Sequence, residues 1–135
     1  MNKIILVLLL VITSCVSQGN KKTIALYKNL KSENLTTEEL LNKYGKSTYE
    51  WKDQAGNTVH NYDYTYTRYD AMSYFPILYF FGNIKAENYS VNIVIDKDGV
   101  IKDKKGFYAA FKTDNGSMCI QWDDKCTKIV SRETK

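Results

Sequence analysis

Two hydrophobic periods divide the chain. In Leu35-Thr36-Thr37-Glu38-Glu39-Leu40-Leu41-Asn42-Lys43-Tyr44-Gly45 the apolar residues return at helical spacing. Thr36 and Glu39 stand three apart, as a capping box requires, and Leu35 and Leu40 occupy the positions of a hydrophobic staple. Glu38 and Glu39 fall in the first turn, where the helix dipole favours carboxylates. The pattern predicts a helix over 37–44, with Leu40, Leu41 and Tyr44 turned inward and Gly45 ending it with positive φ. Ile24, Tyr27 and Leu30 predict a second short helix within 23–33 on a thinner signal.

After Gly45 the period becomes two. Thr48 to Trp51 reads as a short strand, and 53–57 as a turn. Val59 to Tyr69 is the longest alternating run. It places His60, Tyr62, Tyr64, Tyr66 and Arg68 on one face, and Val59, Asn61, Asp63, Thr65 and Thr67 on the other. Tyr89, Val91, Ile93 and Ile95 mark the buried side of a further strand. Asp96-Lys97-Asp98-Gly99 then turns the chain into Val100-Ile101. Near the C-terminus, Asn115-Gly116 predicts a two-residue hairpin that sets Thr113 opposite Met118, Phe111 opposite Ile120 and Ala109 opposite Trp122. The fold class predicted is α+β: two short N-terminal helices packed on a small antiparallel sheet, with an extra C-terminal hairpin.

Between the long strands lies Asp70 to Asn88. Tyr74-Phe75-Pro76-Ile77-Leu78-Tyr79-Phe80-Phe81 is apolar throughout, and Pro76 bars a regular central strand. The segment either folds back and completes the core, or leaves an exposed patch of the kind that marks a partner or membrane contact. On the second reading Phe75, Ile77, Leu78, Phe80 and Phe81 are candidate partner contacts.

The N-terminus locates the protein. Lys3 precedes Ile4 to Ile12, all Ile, Leu and Val, and Thr13 and Ser14 lead to Cys15. An apolar run this short fits a secretory leader and falls well below the roughly 20 residues that span a bilayer. With its cysteine the stretch resembles the lipobox of bacterial lipoproteins, in which the thiol is diacylated, the leader is cut before it and the new N-terminus is acylated. The resemblance implies a signal peptide over 1–14, lipid on Cys15 and attachment to the membrane through that lipid. Residues 15–22 read as a flexible tether and 23–135 as a single domain.

The formal charge of +4 is spread in both signs along the chain, a solvated surface and no footprint for nucleic acid. With Cys15 acylated, Cys119 and Cys126 remain as an even pair in an oxidising compartment, so they are bridged or two free thiols. The hairpin register turns Cys119 to the face opposite the apolar set and weakens the bridge. No catalytic residue is predicted: His60, the single histidine, has no orienting partner in the sequence. No Gly-x-Ser-x-Gly or phosphate loop is present. Asp96-Lys97-Asp98-Gly99 lacks the further acidic ligands of a calcium loop, so no metal and no cofactor are expected. Tyr62, Tyr64 and Tyr66 could stack on a ligand as an aromatic face, or pack as ordinary sheet residues.

The order of lipobox, capped helix ending in Gly45, tyrosine-rich strand from Thr58 to Tyr69, and Val91-Asn92-Ile93-Val94-Ile95-Asp96-Lys97-Asp98-Gly99-Val100 resembles the BamE (SmpA/OmlA) family of outer-membrane lipoproteins. The likeness covers roughly Leu30 to Asp103. It implies two helices on a small antiparallel sheet, no enzymatic activity, and an accessory scaffold role in outer-membrane protein assembly through envelope protein partners. Val16 stands where an aspartate would signal retention in the inner membrane, which favours the outer membrane, and the expected domain faces the periplasm. The chain departs from the family pattern at Ser47, where proline is usual, in the insert 70–88, and after about Lys104. The alternative is a periplasmic ligand-binding or inhibitory module that uses the tyrosine face.

Overall fold

The structure is a computed structural model and describes residues 15–69, 84–113 and 127–135. Two helices and a six-stranded, mostly antiparallel sheet make it an α+β protein. In chain order the elements are β1 (Cys15–Gly19), α1 (Thr23–Asn29), α2 (Thr37–Tyr44), β2 (Tyr49–Lys52), β3 (Thr58–Tyr69), β4 (Ile84–Ile95), β5 (Ile101–Thr113) and β6 (Thr127–Thr134). The sheet runs β1-β3-β4-β5-β6, with β2 paired to β3 off that path. The chain divides into two compact units. One comprises Gln18–Thr65, Asn88–Tyr108 and Arg132–Lys135 and carries both helices; the other comprises, of the described residues, 15–17, 66–69, 84–87, 109–113 and 127–131.

Helix α2 forms where its caps predict. The Thr36 hydroxyl accepts the Glu39 N–H, and the Thr36 N–H donates to the Glu39 carboxylate at 2.9 Å, closing the capping box. The hydrogen bonds that the Glu39 carboxylate accepts from the Thr36 N–H and hydroxyl hold it below the usual carboxylate range. Gly45 ends the helix at φ +81°. Leu40 is 2% exposed and Tyr44 is buried, but Leu41, expected to face inward, is 56% exposed. A helix of eight residues turns only one narrow stripe to the sheet, and Leu41 lies 100° round from Leu40, off that stripe. Leu40→Ala should therefore cost about 2–5 kcal/mol in urea unfolding. Leu41→Ala should stay within about 0.5 kcal/mol of the parent.

Helix α1 buries Thr23, Leu26 and Tyr27. Leu26 and Tyr27, with Leu30, Leu40, Tyr44, Tyr62, Val91, Ile93 and Ile95, form one core cluster. Ile24, predicted on the inner stripe, is only partly buried. Gly106 on β5 admits α1: a Cβ there would lie 2.9 Å from side-chain carbons of both Leu30 and Tyr27. Gly106 and Lys135 exchange backbone hydrogen bonds at 2.9 Å each way, the mark of antiparallel pairing. The Asp96–Gly99 turn matches expectation. The Asp96 carboxylate accepts the N–H groups of Asp98 and Val100, which helps hold its pKa low, and Gly99 has φ +79°.

Within the stretch 15–22, read as a tether, Cys15–Gly19 forms β1 beside β3. Backbone hydrogen bonds need no apolar pattern, which is why Val16-Ser17-Gln18-Gly19 reads as tether from sequence. Strands β1 and β2 share one edge of β3 and meet at Asp63. The Asp63 carbonyl accepts from the Asn20 N–H at 3.1 Å, and its N–H donates to the Thr48 hydroxyl at 3.1 Å.

Candidate functional site

All four residues of strand β2 are exposed to solvent. It pairs antiparallel with β3 in the register Tyr49↔Asn61, Glu50↔His60, Trp51↔Val59 and Lys52↔Thr58. Directly opposed residues share a face. Glu50 and Lys52 therefore lie on the side of His60 and Tyr62, the core side, and Tyr49 and Trp51 on the side of Val59 and Asn61. Tyr49 is 62% exposed and Trp51 46%. Among the described strands β2 pairs with β3 alone, so its outer edge is unpaired there.

The face that carries Tyr49 and Trp51 continues as a polar ladder. The Asn61 amide donates to Ser90 Oγ at 3.1 Å and to Asn92 Oδ1 at 2.8 Å. The Asn88 amide donates to Asp63 Oδ1 at 3.2 Å and to Thr65 Oγ1 at 2.9 Å. These bonds link β3 to β4 through side chains as well as backbone and satisfy Asn61, which is buried.

The tyrosine face becomes core. Tyr62 is 1% exposed and Tyr64 5%, and Tyr66 is partly buried. The Tyr62 hydroxyl donates to the Gly45 carbonyl at 3.1 Å, and burial pushes its pKa up. A ligand cannot stack on rings already covered by protein, so the candidate ligand face fails at Tyr62 and Tyr64. Another aromatic group packs against the core. Tyr89 packs on Tyr27 and Tyr108 at centroid distances of 5.6 and 4.7 Å, and burial together with the Glu133 charge pushes the Tyr27 pKa up to about 12.

His60 does acquire neighbours that its sequence context conceals. Ser47 Oγ lies 3.2 Å and Glu50 Oε2 3.6 Å from the same ring nitrogen, Nδ1. A nucleophile–base–acid relay needs the hydroxyl and the carboxylate on opposite ring nitrogens, so this trio orients the ring and does not activate the serine. A second polar cluster ties the loop between the helices to α2 and β5. Lys43 Nζ and the Tyr44 hydroxyl both donate to the Glu33 carboxylate, the latter at 2.9 Å, and Lys104 Nζ reaches the Glu33 carbonyl at 2.6 Å. The bonds from Lys43 and Tyr44 hold the Glu33 carboxyl below its usual range.

Nearby, Leu26, Leu30, Leu35, Leu40, Ile93 and Ile101 line a cavity of about 10 Å³, room for no more than one water. Among the described residues, no three His, Cys, Asp or Glu side chains gather closely enough to hold a metal ion, and no helix is long and apolar enough to cross a membrane. Cys15 is the first residue of β1. Phe75, Ile77, Leu78, Phe80, Phe81, Cys119 and Cys126, and the Asn115-Gly116 hairpin turn, lie outside the described residues.

The exposed Tyr49 and Trp51 are what sequence reading misses. The signal was present in Tyr49-Glu50-Trp51-Lys52, aromatic and charged in strict alternation, but alternation alone does not say which side faces water. Comparisons with protein-family models, curated proteins and solved structures find no match to this chain.

Proposed function

We propose that this chain is a non-enzymatic, lipid-anchored protein of the bacterial outer membrane, facing the periplasm and acting as an accessory scaffold in outer-membrane protein assembly. The observation that carries the scaffold reading is β2: an edge strand holding Tyr49 and Trp51 in solvent. Exposed Tyr and Trp are the residues that anchor protein interfaces, because they bury large area at small entropic cost. The anchor rests on the apolar run 4–12 and its small residues before Cys15. Two helices and an antiparallel sheet in this order agree with the BamE-like resemblance, which supplies the assembly role.

The test uses the full chain, intact and as Cys15→Ala, crosslinked in living cells before membranes are solubilised. The intact form is expected to bring down subunits of the outer-membrane insertion machinery, and the variant to bring down none. Equal recovery with both forms, or with neither while both remain folded, would refute the anchored-scaffold reading.

A further inference from the structure

The edge of β2 that no described strand pairs has a backbone pattern and a charge pattern that fit a second copy of itself. The Asp53 N–H donates to the Asn57 carbonyl at 2.9 Å. Those two residues continue the β2–β3 register by one step past Lys52↔Thr58. Antiparallel ladders alternate, so Asp53, Trp51 and Tyr49 turn their N–H and C=O groups toward β3, while Glu50 and Lys52 turn theirs outward. A partner strand on this edge must therefore hydrogen-bond to Glu50 and Lys52.

We infer that two copies of this chain pair antiparallel through β2 about a two-fold axis at Trp51. The arrangement rests on the reading of β2 as the binding edge and names its occupant. Glu50 lies opposite Lys52 of the second copy and Lys52 opposite its Glu50, so each outward-facing residue exchanges both backbone hydrogen bonds with one that also faces outward. Four backbone hydrogen bonds and two opposite-charge pairs result, and the two Trp51 rings meet at the central, non-hydrogen-bonded position, where side chains approach most closely.

The neighbouring symmetric registers fail on charge. Centring on Glu50 sets carboxylate against carboxylate, and centring on Lys52 sets ammonium against ammonium, both unfavourable for directly opposed residues. Charges on an edge strand ordinarily discourage pairing. Here their sequence makes one register attractive and its neighbours repulsive, which specifies a two-fold, isologous contact. The Glu50 carboxylate is available to it at 52% side-chain exposure, with the part-exposed His60 ring 3.6 Å away.

The test places a photo-reactive phenylalanine at position 51 of the full chain and co-expresses two copies with different tags. Illumination is expected to give a species of twice the chain mass that carries both tags. Glu50→Lys alone and Lys52→Glu alone should each lower that yield about tenfold, since two attractive pairs become two repulsive ones. Co-expressing the Glu50→Lys copy with the Lys52→Glu copy should restore it, because every opposed pair is again of unlike sign. Protease resistance of each variant shows that it folds. A crosslink from position 51 to a different polypeptide would overturn the second copy as occupant and leave β2 as a binding edge. No crosslink at all, with the chain folded, would overturn both, and failure of the mixed copies to recover would overturn the register.

Discussion

Gly19→Ala is expected to destabilise the fold by about 3 kcal/mol or more, one of the largest effects of any single methyl group in this chain. Two independent reasons act together. Gly19 has φ +94°, which side chains other than glycine rarely adopt, and a Cβ built there falls 2.2 Å from the Asp63 carbonyl oxygen. The obstacle is backbone, so no rotamer change relieves it. That carbonyl also accepts the Asn20 N–H, and pushing it aside disturbs the junction where β1 and β2 meet on β3. Thermal unfolding should fall by roughly 10 °C or more. Gly99→Ala is the matched control, with φ +79° but nothing within 4 Å of the added carbon. Its cost should be near 1 kcal/mol, the backbone term alone. Equal losses from the two substitutions would mean that the end of β1 does not pack on Asp63.

Cys15→Ala is expected to abolish acylation. Cells fed a labelled fatty acid should label the parent chain and leave the variant blank, and the variant band should run heavier because residues 1–14 remain. Each buried methylene contributes about 0.8 kcal/mol, and a single chain gives only reversible binding, near 10⁴ M⁻¹. Removing every chain leaves the apolar run 4–12, shorter than a bilayer span. Label that persists in the variant would move the lipid to another residue.

What the sequence disclosed and what it concealed follow one physical division. Helix α2 was legible because everything that sets its ends is local: Thr36, Glu39 and Gly45 act within ten residues of one another. Strand β3 was legible because its alternation runs nearly its whole length, and β4 was legible only over Tyr89–Ile95; its first five residues, 84–88, fall in the stretch that reads as an insert. The Asp96–Gly99 turn was legible from its own side chain and glycine. The concealed features depend on pairing between distant segments. Val16-Ser17-Gln18-Gly19 carries little apolar pattern, and only the approach of Gly19 to Asp63 reveals a strand. Ser47, Glu50 and His60 meet through the β2–β3 register, which no local spacing encodes.

The same division governs the aromatic residues. Tyr62 and Tyr64 are as alternating, and as aromatic, as Tyr49 and Trp51, yet the first pair is core and the second is in solvent. The difference is what covers them. Tyr62 lies in the core cluster with residues of α1 and α2, while Tyr49 and Trp51 lie on an edge strand, on the face opposite Tyr62. Leu41 gives the helical version of the lesson, since one step round the helix from Leu40 takes it from core to water.

On the proposed function the mature protein begins at a lipid-bearing Cys15 and works from the membrane. Intact-mass measurement of the chain purified from bacterial membranes decides this. The expected mass is that of residues 15–135 plus a diacylglyceryl group on the Cys15 thiol and an acyl chain on its amine. A chain that still carries residues 1–14, or one cut elsewhere with Cys15 unmodified, would contradict it.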